Sequence, residues 1–302
     1  MTTGANDTRP TASVVIRCYN EAAHIGRVFE ALKRQAFRDF EVIVIDSGSD
    51  DGTLDIVAGH DATVVHIRKE DFSFGRSLNL GCGAARGEYL VFLSAHCYPV
   101  DDQWLANLIT GFDDPQVAAV YGKQRGVDSS HFSEQQIFRR WYPEESIDRQ
   151  DGPFCNNANC AVRRALWEQF PYDEELTGLE DVAWASSVTR HGWWIGYRAD
   201  AAVLHVHSES PSQIRNRYQR EAITFQKVFP REHFNLWDFL RLTSRNLRAD
   251  WGAARREGVV AKEWWNILRF RVAQFAGTYQ GFHTRRPSSS ELKRRFYYPE
   301  AD

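Results

Sequence analysis

The stretch EYLVFLSAHCYP, residues 88–99, decides the fold class of this chain. Its residues 89–93 are all apolar, which is typical of a strand that helices cover on both faces. Pro99 is expected to stop the strand, and His96 lies just before that end. Ligands of an open α/β sheet bind outside the carboxyl ends of its strands, so His96 is a candidate ligand-binding residue. A solvated histidine at a plain strand end explains the same residues equally well.

Apolar segments on either side of this stretch predict a parallel sheet. Residues 13–18 and 40–45 form two predicted strands with a helix between them, and residues 63–67 and 117–122 are predicted as further strands. Repeated strand–helix–strand units build a parallel sheet with right-handed crossovers. Asp46, which follows the second strand, should therefore lie beside residues 18–20. Neither G-x-G-x-x-G nor a P-loop motif occurs, which argues against dinucleotide and P-loop binding.

The composition is that of a globular protein. Hydrophobic residues make up 43% of the 302 residues, which is enough for a substantial core. No run of 18 or more apolar residues occurs and the first ten residues lack an apolar segment, so we expect neither a transmembrane helix nor a secretory signal. A cytoplasmic location follows as an expectation. The five cysteines include no C-x-x-C pair, which argues against a disulfide framework and a zinc ribbon.

Charge is unevenly distributed along the chain. Residues 211–302 carry 18 Lys and Arg against 9 Asp and Glu, together with four tryptophans, Trp237, Trp251, Trp264 and Trp265. A basic, tryptophan-bearing region indicates an anionic partner, either a membrane surface or a phosphorylated substrate. The alternative is a helical subdomain whose basic face is simply solvated.

Four motifs, in order, carry a resemblance to a known family. They are VVIRCYNE at 14–21, VIVIDSGSDDGT at 42–53, ARGEYLVFLSAH at 85–96 and GLEDVAWA at 178–185. Their order and spacing resemble the family 2 glycosyltransferases of the GT-A fold. DFSFGRSLNLG at 71–81, together with FLSAHCYP, is similar to the rhamnosyltransferase-like branch. The resemblance implies an α/β domain at residues 11–210, with a mixed, mostly parallel sheet flanked by helices, and a C-terminal helical extension at residues 211–302.

The resemblance also implies where the donor nucleotide binds. Asp46 matches the family aspartate that holds the nucleotide base, and a carboxylate that accepts a base N–H makes a directional, charge-assisted bond. Arg17, Tyr19 and Glu21 line the same edge by position. The Arg-Asn pair usual in this branch is represented here by Asn79 and by Arg76, which has moved upstream.

The metal site of the family is altered in this chain. The family usually presents an Asp-x-Asp whose last carboxylate binds a divalent cation, and the cation neutralises the leaving diphosphate. Here the triplet is Ser94, Ala95 and His96. Imidazole suits Mn²⁺ or another transition metal better than Mg²⁺, so we expect Mn²⁺, and Arg76 is the nearest cation if no metal binds.

A histidine after the last strand completes the metal site in many GT-A enzymes. His205 and His207 alternate along a predicted strand and either could meet His96, while a structural role for both is the alternative. We name His96 and His207 as the expected metal ligands.

The chemistry implied by the family rests on Asp181. Matched to the Glu-Asp motif at a helix start, Asp181 becomes the general base that takes the proton of the acceptor hydroxyl in an inverting transfer. Asn157 lies in a segment that resembles the wall of the donor-sugar pocket, although asparagines also satisfy buried backbone in loops. The alternative is that the two acidic residues at this helix start only stabilise the helix, by interacting with its dipole.

The resemblance therefore implies an inverting transfer from a nucleotide-diphosphate donor, such as dTDP-rhamnose or a UDP-sugar, in cell-surface polysaccharide synthesis. The expected acceptor is a glycan or a polyprenyl-diphosphate-linked glycan at the inner face of the membrane, and no nucleic acid partner is expected. The alternative is a nucleotide-sugar-binding protein that lost catalysis with the Asp-x-Asp. The sequence leaves donor, acceptor and linkage open.

Overall fold

The computed structural model describes residues 9–207 and 209–284. An eight-stranded sheet runs through it in the order β3-β2-β1-β4-β7-β6-β8-β5. The strands are β1 (Ala12–Cys18), β2 (Phe40–Asp46), β3 (Thr63–His66), β4 (Tyr89–Ser94), β5 (Cys97–Pro99), β6 (Val117–Gly126), β7 (Asn159–Arg163) and β8 (Trp194–His205).

The sheet is mixed, as predicted. Strands β3, β2, β1 and β4 are parallel, β7 runs antiparallel to both β4 and β6, and β6 is parallel to β8. The predicted stop at Pro99 was misplaced. The chain turns after Ser94, and residues 97–99 form a separate short strand antiparallel to β8. Proline is tolerated there because β5 is at the edge of the sheet.

Helices cover both faces of the sheet, which explains why the central strands are apolar throughout. The helices that precede the C-terminal region are α1 (Ile25–Lys33), α2 (Thr53–Ala58), α3 (Phe74–Ala84), α4 (Trp104–Thr110), α5 (Phe132–Trp141), α6 (Arg164–Gln169) and α7 (Glu180–Arg190), with a short 3₁₀ turn at Lys69–Asp71. One core cluster contains Ile16 and Trp104, and the other contains Phe92 and Tyr197. All four side chains are buried.

Three long helices follow the last strand. They are α8 (Pro211–Val228), α9 (Leu236–Arg256) and α10 (Val260–His283). Reciprocal capping boxes, Ser210 with Gln213 and Asn235 with Asp238, start α8 and α9. A Cβ atom at Gly277 would lie 2.2 Å from the carbonyl oxygen of Arg215, so α10 can approach α8 this closely only with glycine at that position.

The division of the chain at residue 210 remains a prediction, and residues 285–302 of the proposed extension lie outside the described residues. Among the described helices, none is long and apolar enough to cross a membrane.

A buried ion pair ties the C-terminal helices to the body. The Arg271 guanidinium donates to both carboxylate oxygens of Asp250, at 2.7 and 2.9 Å, and also to the backbone carbonyl of Ser133 at 3.3 Å. Arg271 lies on α10, Asp250 on α9 and Ser133 on α5. The pair therefore links α9 and α10 to a helix beside the carboxyl ends of the strands.

Candidate active site

Three parallel strands bring the predicted site residues to one edge of the sheet. In the register of the sheet, Cys18 lies opposite Asp46, and Arg17 lies opposite Ser94. The loops after β1, β2 and β4 therefore meet at the carboxyl ends of the strands. This is the edge at which ligands bind in open α/β sheets.

Asp46 is buried and organises the loop that follows β2. Its carboxylate accepts hydrogen bonds from the backbone N–H groups of Gly48, at 2.9 Å, and Ser49, at 3.3 Å. Gly48 has a φ of 90°, a left-handed conformation that favours glycine. Two N–H groups use only part of the acceptor capacity of a carboxylate, which is about four lone pairs.

The Asp51 carboxylate and the backbone of Asp50, further along this loop, form hydrogen bonds within the protein. Asp51 accepts hydrogen bonds from the backbone of Ala22 and from both the backbone and the hydroxyl of Thr53. The side chain of Asn20 accepts from the backbone of Asp50 at 2.9 Å. These bonds fasten the β1–α1 loop to the β2–α2 loop.

Two predicted donor-binding residues lie at the rim of this edge. Tyr19 is exposed, and its hydroxyl accepts a hydrogen bond from the Lys69 ammonium at 3.0 Å. Arg76 is also exposed and lies 3.6 Å from the carboxylate of Glu174. Lys69 was not singled out from the sequence because no motif surrounds it.

Asn79 and Ala95 have contacts within the protein, and their predicted donor-binding roles remain predictions. The Asn79 amide donates to Tyr172 and Glu174 and accepts from Trp167 and Tyr172. All its polar atoms are therefore used in linking α3 to the segment before α7. The side chain of Ala95 is buried in the core, so this residue offers a ligand its backbone alone.

Asp181 lies at the start of α7, next to the loop that precedes β7. Its carboxylate accepts hydrogen bonds from the backbone N–H groups of Asn157, at 3.1 Å, and Val182, at 2.8 Å. Burial, followed by the charge of Glu180, raises the pKa of Asp181 to about 7, against an ordinary value of 3.8. A carboxylate with this pKa can exchange a proton near neutral pH.

The neighbouring carboxylate is neutralised by a cation. Glu180 lies 3.2 Å from the Arg17 guanidinium, which also contacts the ring of Phe74 at 4.9 Å. The residue before this helix, Leu179, has a φ of 51°, which is uncommon for a non-glycine residue and costs backbone strain. Arg17 therefore joins α7 to the end of β1 and leaves Asp181 as the carboxylate without a cationic partner in a hydrogen bond.

Asn157 contributes its backbone to Asp181, while its side chain is buried. The side-chain Nδ2 atom has no hydrogen-bond partner within the described residues, and the Tyr172 hydroxyl lies 3.5 Å from Oδ1. An unpaired buried amide beside a catalytic candidate is a group that a ligand hydroxyl could satisfy.

Three histidines meet at the ends of β4 and β8. One ring nitrogen each of His96, His205 and His207 lies within 4.8 Å of the others. Sequence reasoning named His96 and His207 and left His205 open. Nδ1 of His96 lies 2.8 Å from Glu21, Nδ1 of His205 lies 2.7 Å from Gln124, and Nδ1 of His207 lies 2.8 Å from Glu134.

Glu21 thus contacts a histidine, and its predicted place at the nucleotide edge remains a prediction. Gln124 and Glu134 were missed because neither belongs to a motif, and only the pairing of β6 with β8 and the packing of α5 bring them close. Burial, followed by the neighbouring imidazoles, lowers the pKa of His205 well below its ordinary value, which keeps that ring neutral.

A second acidic group adjoins the histidines. Glu134, His207 and Glu209 also lie close enough to hold a metal ion. The Arg217 guanidinium, however, lies 3.1 Å from Glu134 and 2.8 Å from Glu209. A guanidinium already supplies the positive charge here, so this group is best described as an ion-pair network.

The mixed sheet, the loops at its carboxyl edge and the acidic start of α7 agree with the α/β architecture expected of a GT-A enzyme. Residues 13–170 match Glycosyl transferase family 2. The chain therefore belongs to family 2 of the glycosyltransferases and is a glycosyltransferase.

Curated relatives and solved structures agree with this assignment. The chain is 28% identical to the O-antigen chain rhamnosyltransferase RfbN of Salmonella typhimurium, covering 68% of this chain and 69% of the relative. It is 27% identical to the glycosyltransferase AglE of Haloferax volcanii, covering 66% and 67%. The mannosyltransferase PcManGT of Pyrobaculum calidifontis, solved with GDP-Man and Mn²⁺, superposes on this chain with a TM-score of 0.62 at 20% identity. The superposition covers 90% of this chain and 86% of PcManGT. The last similarity concerns the fold alone, and it confirms the GT-A prediction.

Proposed function

We propose that this enzyme transfers a sugar from a nucleotide-diphosphate donor to a hydroxyl of a growing cell-surface glycan, with inversion at the anomeric carbon. The observation that carries the proposal is the geometry of Asp181, a carboxylate in the first turn of α7 that accepts two backbone N–H groups while Arg17 pairs with the neighbouring Glu180. Burial raises the pKa of Asp181, which suits a general base. The name of the relative RfbN, an O-antigen chain rhamnosyltransferase, supports rhamnose as the donor sugar.

The proposed step balances as a single displacement. Asp181 accepts the proton of the acceptor hydroxyl while that oxygen attacks the anomeric carbon. The bond from this carbon to the diphosphate breaks on the opposite face, and the diphosphate leaves with the electron pair. A diphosphate needs no protonation to leave, so one carboxylate is sufficient.

Nucleotide recognition is assigned to the loops after β1 and β2. Asp46 retains lone pairs for a base N–H after it has organised its own loop. Tyr19, whose ring lies 4.7 Å from the Lys69 ammonium, is proposed to contact the nucleotide at the rim. Arg17, which pairs with Glu180, is proposed to line the same edge. Asn157 is proposed to contact the sugar because its buried Nδ2 atom lacks a protein partner among the described residues.

A divalent cation is proposed beside Ser94, held by His96 and His207. The orphaned ring nitrogen of the adjacent His205 and the convergence of the three rings fit such an ion. The cation would neutralise charge on the leaving diphosphate. Arg76 is assigned to the outer rim of the donor pocket, because its pairing with Glu174 leaves it nearly half exposed.

The acceptor is proposed to be attached to a lipid at the anionic inner surface of the membrane. At the start of α9, Leu236, Trp237 and Leu240 are 57%, 70% and 49% exposed. The same helix continues with exposed Arg241, Arg245 and Arg248. Exposed Trp and Leu followed by arginines are typical of a helix that lies in a membrane interface. Trp264 and Trp265 on α10 are also half exposed.

The test is release of nucleoside diphosphate from dTDP-, UDP- and GDP-sugars by the purified full-length protein with Mn²⁺ and an oligosaccharide acceptor. Asp181→Asn is expected to lower turnover by about 10²–10⁴ with nucleotide binding retained, because a positioned base typically contributes this much. Asp113→Asn, an exposed carboxylate in the loop after α4, serves as the matched control. Unchanged turnover in Asp181→Asn would assign the base to another residue. Nucleotide binding without turnover of any donor would favour the non-catalytic alternative.

A further inference from the structure

We propose that His96, His205 and His207 together form an all-imidazole site for a divalent transition-metal ion, with His205 as the buried third ligand. The inference rests on the proposed function and deepens it, because it identifies the complete ligand set and the chemical class of the cation. Carboxylates take part only as hydrogen-bond partners of the imidazoles.

The three rings converge from two strand ends. Ring centroids lie 5.1 Å apart for His96 and His205, 5.9 Å for His96 and His207, and 3.9 Å for His205 and His207. His96 comes from the turn after β4, and the other two come from the end of β8 and the residues that follow. Pairing of β5 with β8, in which Cys97 lies opposite His205, holds the two ends together.

The hydrogen bonds determine which ring nitrogens face the ion. Each Nδ1 atom contacts an oxygen that only accepts, from Glu21, Gln124 or Glu134, so each Nδ1 carries the hydrogen and donates. In a neutral imidazole the other nitrogen, Nε2, then presents its lone pair. Metal-bound histidines typically have an outer hydrogen bond of this kind, which fixes the ring orientation.

His205 supplies the observation that points directly to a ligand. The residue is 6% exposed, and its Nε2 atom has no hydrogen-bond partner among the described residues. A buried acceptor without a donor is costly, and a bound cation would satisfy it.

Neutral nitrogen ligands also select the type of ion. Imidazole binds Mn²⁺, Co²⁺ and Zn²⁺ well, whereas Mg²⁺ prefers an octahedral set of oxygens. Three neutral ligands leave the double positive charge of the ion intact, and Glu21 and Glu134 are one hydrogen bond further away. The remaining coordination positions are available to diphosphate oxygens.

The test measures metal binding directly. The purified full-length protein, stripped with EDTA, is titrated with Co²⁺, and d–d absorption and calorimetry report the binding. We expect one ion per chain, no competition from Mg²⁺ at matched concentration, and at least about 10-fold weaker Co²⁺ binding in Glu134→Gln, as for loss of an outer hydrogen-bond partner.

His205→Gln and His207→Gln are each expected to remove most Co²⁺ binding, and His207→Gln serves if the buried substitution at residue 205 fails to fold. His191→Gln, at an exposed histidine after α7, is the control and should bind as the unaltered protein does. Unaltered Co²⁺ affinity in folded His205→Gln or in His207→Gln would overturn the proposal. Full transfer in EDTA with no ion bound would overturn the metal site, together with the cation proposed for the leaving diphosphate, and would leave the proposed sugar transfer with Asp181 as its base intact. Stoichiometric Co²⁺ binding without any sugar transfer would contradict the proposed transfer alone.

Discussion

Glu180 and Asp181 are adjacent carboxylates that have different roles because their surroundings differ. Glu180 lies in an ion pair with Arg17, whereas the Asp181 carboxylate, among the described residues, accepts hydrogen bonds only from backbone N–H groups and has a pKa raised to about 7 by burial. The first therefore serves to position α7, and the second is the group able to take up a proton. Their order along the chain alone does not assign these roles.

The raised pKa predicts a particular pH dependence. Asp181 acts as a base only when ionised, so kcat/KM should fall below about pH 7 with a single proton uptake. Because the folded protein binds this proton more tightly than the unfolded chain, stability should fall as the pH rises from about 4 to 7 and level off above that range. Urea unfolding of Asp181→Asn should lack this slope. If kcat/KM of the unaltered enzyme fell only near pH 4, the assignment of Asp181 as the base would be contradicted.

At the scale of elements, α5 connects the C-terminal helices to the histidines. Its Glu134 accepts hydrogen bonds from His207 and from Arg217 of α8, and the preceding residue, Ser133, accepts from Arg271 of α10. The three C-terminal helices therefore position a hydrogen-bond partner of the proposed metal ligand. The basic region that the sequence marks as an extension takes part in organising the site.

Arg271→Met is expected to destabilise the protein by about 3–5 kcal/mol, because it leaves Asp250 as an unpaired buried charge. The double variant Asp250→Leu with Arg271→Met should recover much of this loss. Arg269→Met, an exposed arginine on the same helix, is the control. Urea titrations followed by circular dichroism measure all three. An Arg271→Met protein as stable as the control would show that the buried pair is dispensable.

At the scale of the whole molecule, charge separates an acidic body from a basic C-terminal region. Exposed Trp237 and the arginines of α9 are proposed to contact an anionic membrane surface. Each arginine near such a surface contributes about 1 kcal/mol, and salt screens the contact within about 10 Å at 0.1 M.

Sedimentation with vesicles that contain phosphatidylserine measures this contact. Replacing Arg241 and Arg245 by glutamine should weaken binding roughly 30-fold, from about 2 kcal/mol of lost attraction. Trp237→Ser should also reduce it, while Trp141→Ser, at a half-exposed tryptophan of α5, should not. Equal binding to neutral phosphatidylcholine vesicles, or none at low salt, would refute the membrane contact.

The sequence alone determined the elements whose signals are local. Apolar runs such as residues 89–93 predicted central strands because burial on both faces excludes polar side chains, and the motif at residues 178–185 predicted a helix with Asp181 in its first turn. The GT-A resemblance supplied the order of these elements and the family.

The histidine cluster and the hydrogen bonds of Asn79 depend on contacts between distant segments, so they could be seen only in the tertiary structure. The turn after Ser94, the pairing of β5 with β8 and the packing of α5 bring His96, His205 and Glu134 together from positions far apart in the chain. No spacing rule relates such residues, since their proximity arises from strand register and helix packing. Likewise, Asn79 became a structural link because Tyr172 and Glu174 fold back onto α3, a contact to which the motif around it gives no signal.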